Sequence, residues 1–487
     1  MFKISVDQVD DPLRLLDNPL TCPGLFYATP AIDGVISRIR IPSGILTSQQ
    51  VRIVADYATN FGGSDKNVYV TNRANLQVRG IRGTETALIT LRSVGLAGIP
   101  EVDHIRNIMS SPTAGIDKDE LIDTRYLVRE LDEYICSHKE LGGLSPKFSV
   151  AFDGGGKVSV CQQPNEITFA AVKENTSIYF HLLIGGEATN ILLKPEECIF
   201  VVAAFAQLYL NEVDITEKRK PRLKKLFQEK GLSKTLEQAQ KYLPFSLNVS
   251  NNTHTLNTNT NYHLGAHPQR QKGYSYIGIV LPLGKLNTNQ LYNLASLVDS
   301  YGSSVLRLTP WQNIIIPDIK NEFIPEVQEH IENLGLHWSV NHIYSSLVAC
   351  TGNKGCASSA TDTKSDALAL AEYLQQHITL DIPVKIHFTG CSKSCAYHGK
   401  SDITLLGAQK IENNILTEGY QIFVGSEQNF GREIYSFINQ TQLPKVILRL
   451  LQVYKLLRKH NHDSFGEWVD QYTVCEIQHW LNAGGIT

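Results

Sequence analysis

No apolar run in this 487-residue chain is long enough to span a bilayer. Neither charge is in excess: 45 lysines and arginines against 48 aspartates and glutamates leave a net charge of −3. That balance excludes the basic footprint of a nucleic-acid binder or a membrane-surface protein. No Gly-x-Gly-x-x-Gly follows a candidate strand, and Gly154-Gly155-Gly156 reads only as a loop. A resident nicotinamide or flavin domain is therefore not expected, and electrons must arrive from outside. The first ten residues are polar and lack the apolar centre of a secretory signal. Cysteine is sparse, nine in all. An odd number without such a signal argues against a disulfide framework and for a reducing, cytoplasmic compartment.

What is present is a globular composition, 42% hydrophobic and 19% charged, in a chain long enough for about two to four domains. Four cysteines stand in two pairs, Cys350-Thr-Gly-Asn-Lys-Gly-Cys356 and Gly390-Cys391-Ser-Lys-Ser-Cys395. Residues 362–386 between them read as a capped helix and a strand, an excursion that returns the chain to its start. Two such pairs can converge on one metal centre. Structural zinc favours tight pairs on small knuckles, whereas a four-iron cubane needs four thiolates and little side-chain bulk near the sulfurs. The glycines at 352, 355 and 390 meet that need. The spacing favours an iron–sulfur cluster, with zinc as the alternative. Cys161, Cys198 and Cys475 stand singly and read as core, and Cys22 lies in the turn-like Cys22-Pro23-Gly24.

The chain also repeats itself. Residues 37–50 align with 277–290, matching Pro42 with Pro282, Gly44 with Gly284, Leu46 with Leu286 and Gln50 with Gln290. Further on, Thr71-Asn72-Arg73-Ala74-Asn75 aligns with Thr309-Pro310-Trp311-Gln312-Asn313. Each copy reads as strand, helix and two strands, with Thr47 an N-cap for a helix to about Asn60. Two copies far apart indicate a duplication with pseudo-twofold architecture, not a solenoid. A longer α/β stretch follows each copy, and 248–272, rich in Asn, Thr and His, reads as a linker or mobile loop.

Cations gather in the first copy and just after it. Arg73 and Arg79 occupy its corner and strand, Arg106 opens Arg106-Asn-Ile-Met-Ser-Ser-Pro-Thr-Ala-Gly-Ile-Asp117, and Lys147 begins a strand. Arg73 is matched by Trp311 in the second copy, so only one side is built for an anionic ligand. The basic run 218–225 reads as a solvated helix face, with a docking patch for an acidic electron carrier as the alternative. His387 and His398 read as structural.

These motifs together resemble the sirohaem nitrite and sulfite reductase superfamily over nearly the whole chain. The residues that carry the likeness are the two cysteine pairs, 71–80 read as Thr-x-Arg-x-Asn-x-Gln-x-Arg-Gly, and the Arg106 segment. The resemblance implies an α/β (α+β) fold of duplicated ferredoxin-like half-domains, each followed by a larger α/β reductase-type domain. The expected divisions are 1–100, 101–247, a linker at 248–272, 273–340 and 341–487. It further implies a 4Fe-4S cluster on Cys350, Cys356, Cys391 and Cys395, the last bridging to sirohaem iron. Arg73, Arg79 and Asn75 match positions that hold the tetrapyrrole, and Arg106 and Lys147 match catalytic positions. Within the superfamily the likeness is greatest to precorrin-3B synthase of cobalamin biosynthesis, on Cys22-Pro23-Gly24, Leu308-Thr-Pro-Trp311, Gly355–Thr363 and Gly390–His398. That likeness implies an oxygen-dependent monooxygenase that hydroxylates precorrin-3A and closes a lactone, with a mononuclear iron and an external donor such as ferredoxin or a reductase. The alternative is a ferredoxin-dependent sirohaem nitrite reductase. Sulfite reduction is disfavoured because Ser149 stands where sulfite reductases carry a second lysine. A cluster-bearing redox sensor or carrier is the third reading, disfavoured by the size of the scaffold.

Overall fold

Thr47 and Asn287, at matching places in the two copies, each cap a helix. The Thr47 hydroxyl accepts the Gln50 amide and the Asn287 side chain accepts the Gln290 amide, and in each box the glutamine reaches back to the cap. Each such cap is worth about 1 kcal/mol. The helices that follow, Ser48–Phe61 and Thr288–Tyr301, match the expected element closely. The computed structural model describes residues 24–26, 29–81, 85–214, 220–250, 256, 261–412, 415–425 and 430–482. Cys22 and the start of the basic run at 218 lie outside these residues.

The chain divides into two compact units, residues 339–487 with two short segments, 31–33 and 280–283, forming the second. The first unit holds both half-domains. One ladder runs Gly34–Ile39, Leu76–Ile81, Asn67–Val70 and then Lys285–Asn287, a strand from the second copy. The other runs Gly265–Pro268, Tyr274–Ile279, Ile314–Lys320, Val305–Leu308 and then Ile45–Thr47, a strand from the first. Each copy thus closes the other's sheet. The two conserved-in-repeat glycines permit the exchange. Gly44 and Gly284 take φ of +73° and +68°, and a Cβ at each would lie 2.8 Å from Leu308 O and Val70 O respectively, the carbonyl of the opposite copy.

The larger sheets repeat as well. In the first unit Ile108–Ser110, Val150–Asp153 and Ile167–Glu174 run parallel, and Ser177–Ile184 and Glu187–Leu193 continue antiparallel. In the second, Leu347–Ala349, Ile386–Thr389 and Ile403–Glu412 run parallel, followed by antiparallel Ile415–Val424 and Arg432–Asn439. Helix Arg125–Ser137 buries Leu127, Val128, Leu131 and Ile135 in the first unit. Helix Thr363–His377 buries Leu370, Ala371 and Leu374 in the second. Both show the three-to-four spacing of a one-faced helix. The architecture is the duplicated one that the repeat predicted.

The stretch read as a linker contributes strands at both ends. Asn248–Val249 pairs with Glu187–Leu193, and Gly265–Pro268 pairs with Tyr274–Ile279. Edge strands are held by backbone hydrogen bonds, so a polar composition suffices there.

Candidate functional site

Parallel pairing of Leu347–Ala349 with Ile386–Thr389 brings Cys350 and Gly390 out of the sheet side by side. The Cys350 amide donates to Phe388 O at 3.1 Å, and the Gly390 amide donates to Cys350 Sγ at 3.2 Å. Thr363 Oγ1 donates to Cys350 O (2.8 Å) and lies 3.4 Å from the same sulfur. A Cβ at Gly390 would fall 1.7 Å from Ser359 Oγ, so only glycine lets the two loops meet. Burial first, and then the neighbouring thiols of Cys391, Cys350 and Cys356, push the Cys395 thiol above its ordinary range. The two cysteine loops thus meet at Cys350 and Gly390. An amide aimed at a sulfur and a glycine at the contact leave the room that a four-iron cluster on these thiols needs.

The single cysteines differ among themselves. Cys198 is buried and Cys161 half-buried, but Cys475 is exposed, against expectation. Helix Val474–Asn482 buries Ile477 and Leu481, and Cys475 falls off that face.

The first unit has the cations, in unequal roles. At the corner, Thr71 Oγ1 accepts the Asn75 amide (3.2 Å) and Ala74 takes φ +52°. Asn75 Oδ1 accepts the Ile41 amide at 2.8 Å, and its Nδ2 lies 3.5 Å from Asn107 Oδ1. The buried Asn75 thus buttresses the corner. Arg73 Nη1 donates to Asn165 Oδ1 at 2.6 Å, and Arg79 is buried. Arg106 is spent on its own fold: Nε and Nη2 grip Asp132 at 2.7 and 2.8 Å, and Nη1 lies 3.5 Å from the buried Asp103. This geometry removes Arg106 as a free anion ligand. Arg106→Leu is expected to cost about 3 kcal/mol of stability, because Asp103 and Asp132 lose their shared partner. A urea titration reads it, and a fully stable variant that lost only turnover would return Arg106 to the anion site.

Lys147 behaves oppositely. It is exposed, and its ammonium has no ion pair among the described residues. Two residues on, the buried Ser149 turns its Oγ to accept the Glu166 amide at 3.3 Å.

Four further buried residues were not singled out by sequence: Asn165, Glu166, Arg40 and His104. Asn165 holds Arg73, and the buried Glu166 accepts the Lys224 amide at 2.9 Å. Burial raises the Glu166 carboxyl, an effect offset by that amide and by Arg222 and Arg73 nearby. A carboxylate opening an apolar strand at Ile167 was the available signal. Arg40 is 1% exposed. Burial foremost, then the charges of Arg40 and Lys220, pull His104 down to about 4, which keeps it neutral.

The first unit also carries a counterpart of the cysteine loops. Ser111 N donates to Phe152 O (3.3 Å) and Leu121 N to Gly154 O (2.8 Å), mirroring Cys350 N on Phe388 O and Ala360 N on Gly390 O. Here carboxylates replace thiols. Asp117 accepts the Lys157 amide at 2.6 Å, and Glu120 accepts the Gly115 amide at 2.9 Å. Burial pushes Glu120 up to about 7 against the pull of that amide and Arg270. A carboxyl whose folded pKa is raised favours folding while protonated. Its contribution is full below the unfolded value of about 4.5 and is lost as pH rises to about 7. Glu120→Gln is expected to flatten the fall in Tm between those pH values. An unchanged slope would refute that.

The chain matches the nitrite/sulfite reductase ferredoxin-like half domain at 31–89 and 267–334. It matches the nitrite and sulphite reductase 4Fe-4S domain at 101–247 and 344–483. A ferredoxin–nitrite reductase of Synechococcus elongatus is 30% identical over 88% of this chain and 88% of that protein. The chloroplastic ferredoxin–nitrite reductase of Spinacia oleracea is 29% identical over 87% of this chain and 74% of its own length. The Mycobacterium tuberculosis NirA protein shares the fold, with a TM-score of 0.79 and 22% identity over 91% of this chain and 84% of that one. The two ferredoxin–nitrite reductases, matched over most of this chain, overturn the expected precorrin-3A hydroxylation and its monooxygenase chemistry. The physical reason is that cations able to hold a carboxylate-rich tetrapyrrole serve a resident one as well as a substrate, so the motifs did not separate the two.

Proposed function

The chain belongs to the nitrite and sulfite reductase family, and on that premise we propose that it reduces nitrite with electrons from ferredoxin. The observation that carries the reading is Lys147, an exposed ammonium with no ion pair among the described residues and with Ser149, not a second cation, two positions on. One cation suits the singly charged nitrite better than a doubly charged sulfite. The ferredoxin–nitrite reductases that match most of the chain support the same substrate and donor.

Bound sirohaem and the cluster would supply the path for the six electrons between nitrite and ammonium. The cluster would sit on Cys350, Cys356, Cys391 and Cys395. Arg73 and Arg79 would hold tetrapyrrole carboxylates, with Asn165 fixing the Arg73 fork and Asn75 the corner beneath it. Lys147 would hold the oxyanion and stabilise the charge that develops on it. Protein purified without air and driven by reduced methyl viologen tests the proposal. Nitrite loss with equimolar ammonium is expected, at a kcat/KM above that for sulfite. A preference for sulfite, or no turnover of either anion by protein showing sirohaem bands, would sink it.

A further inference from the structure

The duplication supplies an internal comparison for buried residues. Counted from the loops already matched, Ser111 with Cys350 and Leu121 with Ala360, one constant offset carries Leu127 onto Asp366. The antiparallel pairings do the same for a strand residue. Ile167 pairs with Ile184 and Ile403 with Val424, so Phe180 stands where Tyr420 does, four residues back from each. The ring geometry agrees. Phe180 lies edge-on to Phe152 at 6.4 Å, and Tyr420 lies edge-on to Phe388 at 5.3 Å.

In the first unit the two positions are apolar. Leu127 and Phe180 are 1% and 0% exposed and belong to one hydrophobic core. In the second unit the same two places hold a carboxylate and a phenol. Asp366 is 6% exposed. Tyr420 Oη donates to its Oδ2 at 2.5 Å, and Gln440 Nε2 donates to its Oδ1. Both carboxylate oxygens accept, as suits the charged form. Burial raises the Asp366 carboxyl, and the bonds from Tyr420 and Gln440 pull it back. Among the described residues Asp366 makes no ion pair, and Lys354, whose charge reaches it, is paired with Asp362 at 2.6 Å. Replacing such a buried polar set by apolar side chains is often neutral or stabilising, and the first unit shows that this fold accepts them. Stability therefore does not account for the pair.

What distinguishes the second unit is its thiols. Thr363, one turn before Asp366 in the same helix, donates to Cys350 O and lies 3.4 Å from the Cys350 sulfur. Phe388, against which the Tyr420 ring packs, accepts the Cys350 amide at 3.1 Å. Burial first, then the charge and hydrogen bond of Asp366, and further down the charge of Cys350, hold the Tyr420 hydroxyl far above its ordinary range. It therefore stays a donor. We propose that the Asp366–Tyr420 pair is a fixed negative charge set behind the cysteine loops to keep the reduction potential of the four-iron cluster low. A buried anion opposes the charge that one added electron brings, and net charge and hydrogen bonding are what tune such clusters. The inference rests on the family's cluster and not on the choice of nitrite.

The test is a redox titration of the full chain, purified without air with its cofactors and read by the electron paramagnetic resonance of the reduced cluster. Asp366→Asn removes the charge and keeps the shape, and Asp366→Leu/Tyr420→Phe copies the first unit's own pair. The midpoint is expected to rise in both by about 59 mV, a tenfold shift of a one-electron equilibrium. Iron and acid-labile sulfide should match the parent chain, and the melting temperature of the double variant should not fall. A pair that only packs would leave the midpoint where it is, so an unchanged midpoint in both variants with full metal overturns the inference. Loss of iron from both variants would overturn it as well, assigning the pair to holding the loops together. The titration needs no nitrite. A chain whose midpoint shifts as expected and yet reduces no nitrite sinks the reductase reading and leaves the charge assignment standing.

Discussion

A Cys391→Ser chain purified without air is expected to carry no four-iron cluster and to reduce no nitrite. Serine keeps the shape of the side chain but offers a hydroxyl that stays protonated where a thiol ionises, so the cluster loses a ligand. The loss should be chemical and not conformational. Thr389 Oγ1 holds the Cys391 carbonyl at 2.8 Å and the Ser394 amide reaches it at 3.3 Å, contacts that the substitution leaves alone. Far-ultraviolet dichroism should therefore be unchanged while iron and acid-labile sulfide fall away. Full iron and sulfide in the variant would remove Cys391 from the ligand set. Cys475→Ser is the matched control, since that thiol is exposed on helix Val474–Asn482. Its metal content should equal that of the parent chain.

The second large effect belongs to Lys147. Lys147→Ala should lower kcat/KM for nitrite by about 10²–10³-fold, the cost of removing a donor aimed at developing charge. Because the side chain is exposed and makes no ion pair among the described residues, the melting temperature should stay within about a degree or two of the parent. That combination separates Lys147 from Arg106, whose removal should lower stability without acting on the bound anion. Equal turnover by Lys147→Ala would place the oxyanion elsewhere.

Much of the fold was legible because it is written twice. Capping boxes at Thr47 and Asn287, and the corner residues Thr71 and Thr309, make the same local hydrogen bonds in both copies. Local hydrogen bonds are what short motifs encode. The meeting of the two cysteine loops was legible for a related reason, since Cys350 and Gly390 each follow one strand of a parallel pair. Partners distant in sequence were not legible. Nothing near Arg106 announces Asp132, and nothing near Arg73 announces Asn165, yet the first contact takes up the Arg106 guanidinium and the second orients that of Arg73. The substrate was misread on similar grounds. A set of cations records the charge of what it binds but not whether the ligand stays or leaves.

The exchanged strands also fix an order of events during synthesis. The ladder begun by Gly34–Ile39 lacks its last strand until 285–287 have left the ribosome, so the first copy is made long before its sheet can close. Until then the Asn67–Val70 edge is bare, and it is the edge that a nascent chain must shield from other chains. A nick between the two halves would leave neither fragment able to complete its own sheet. The two fragments expressed together could still trade strands and restore both.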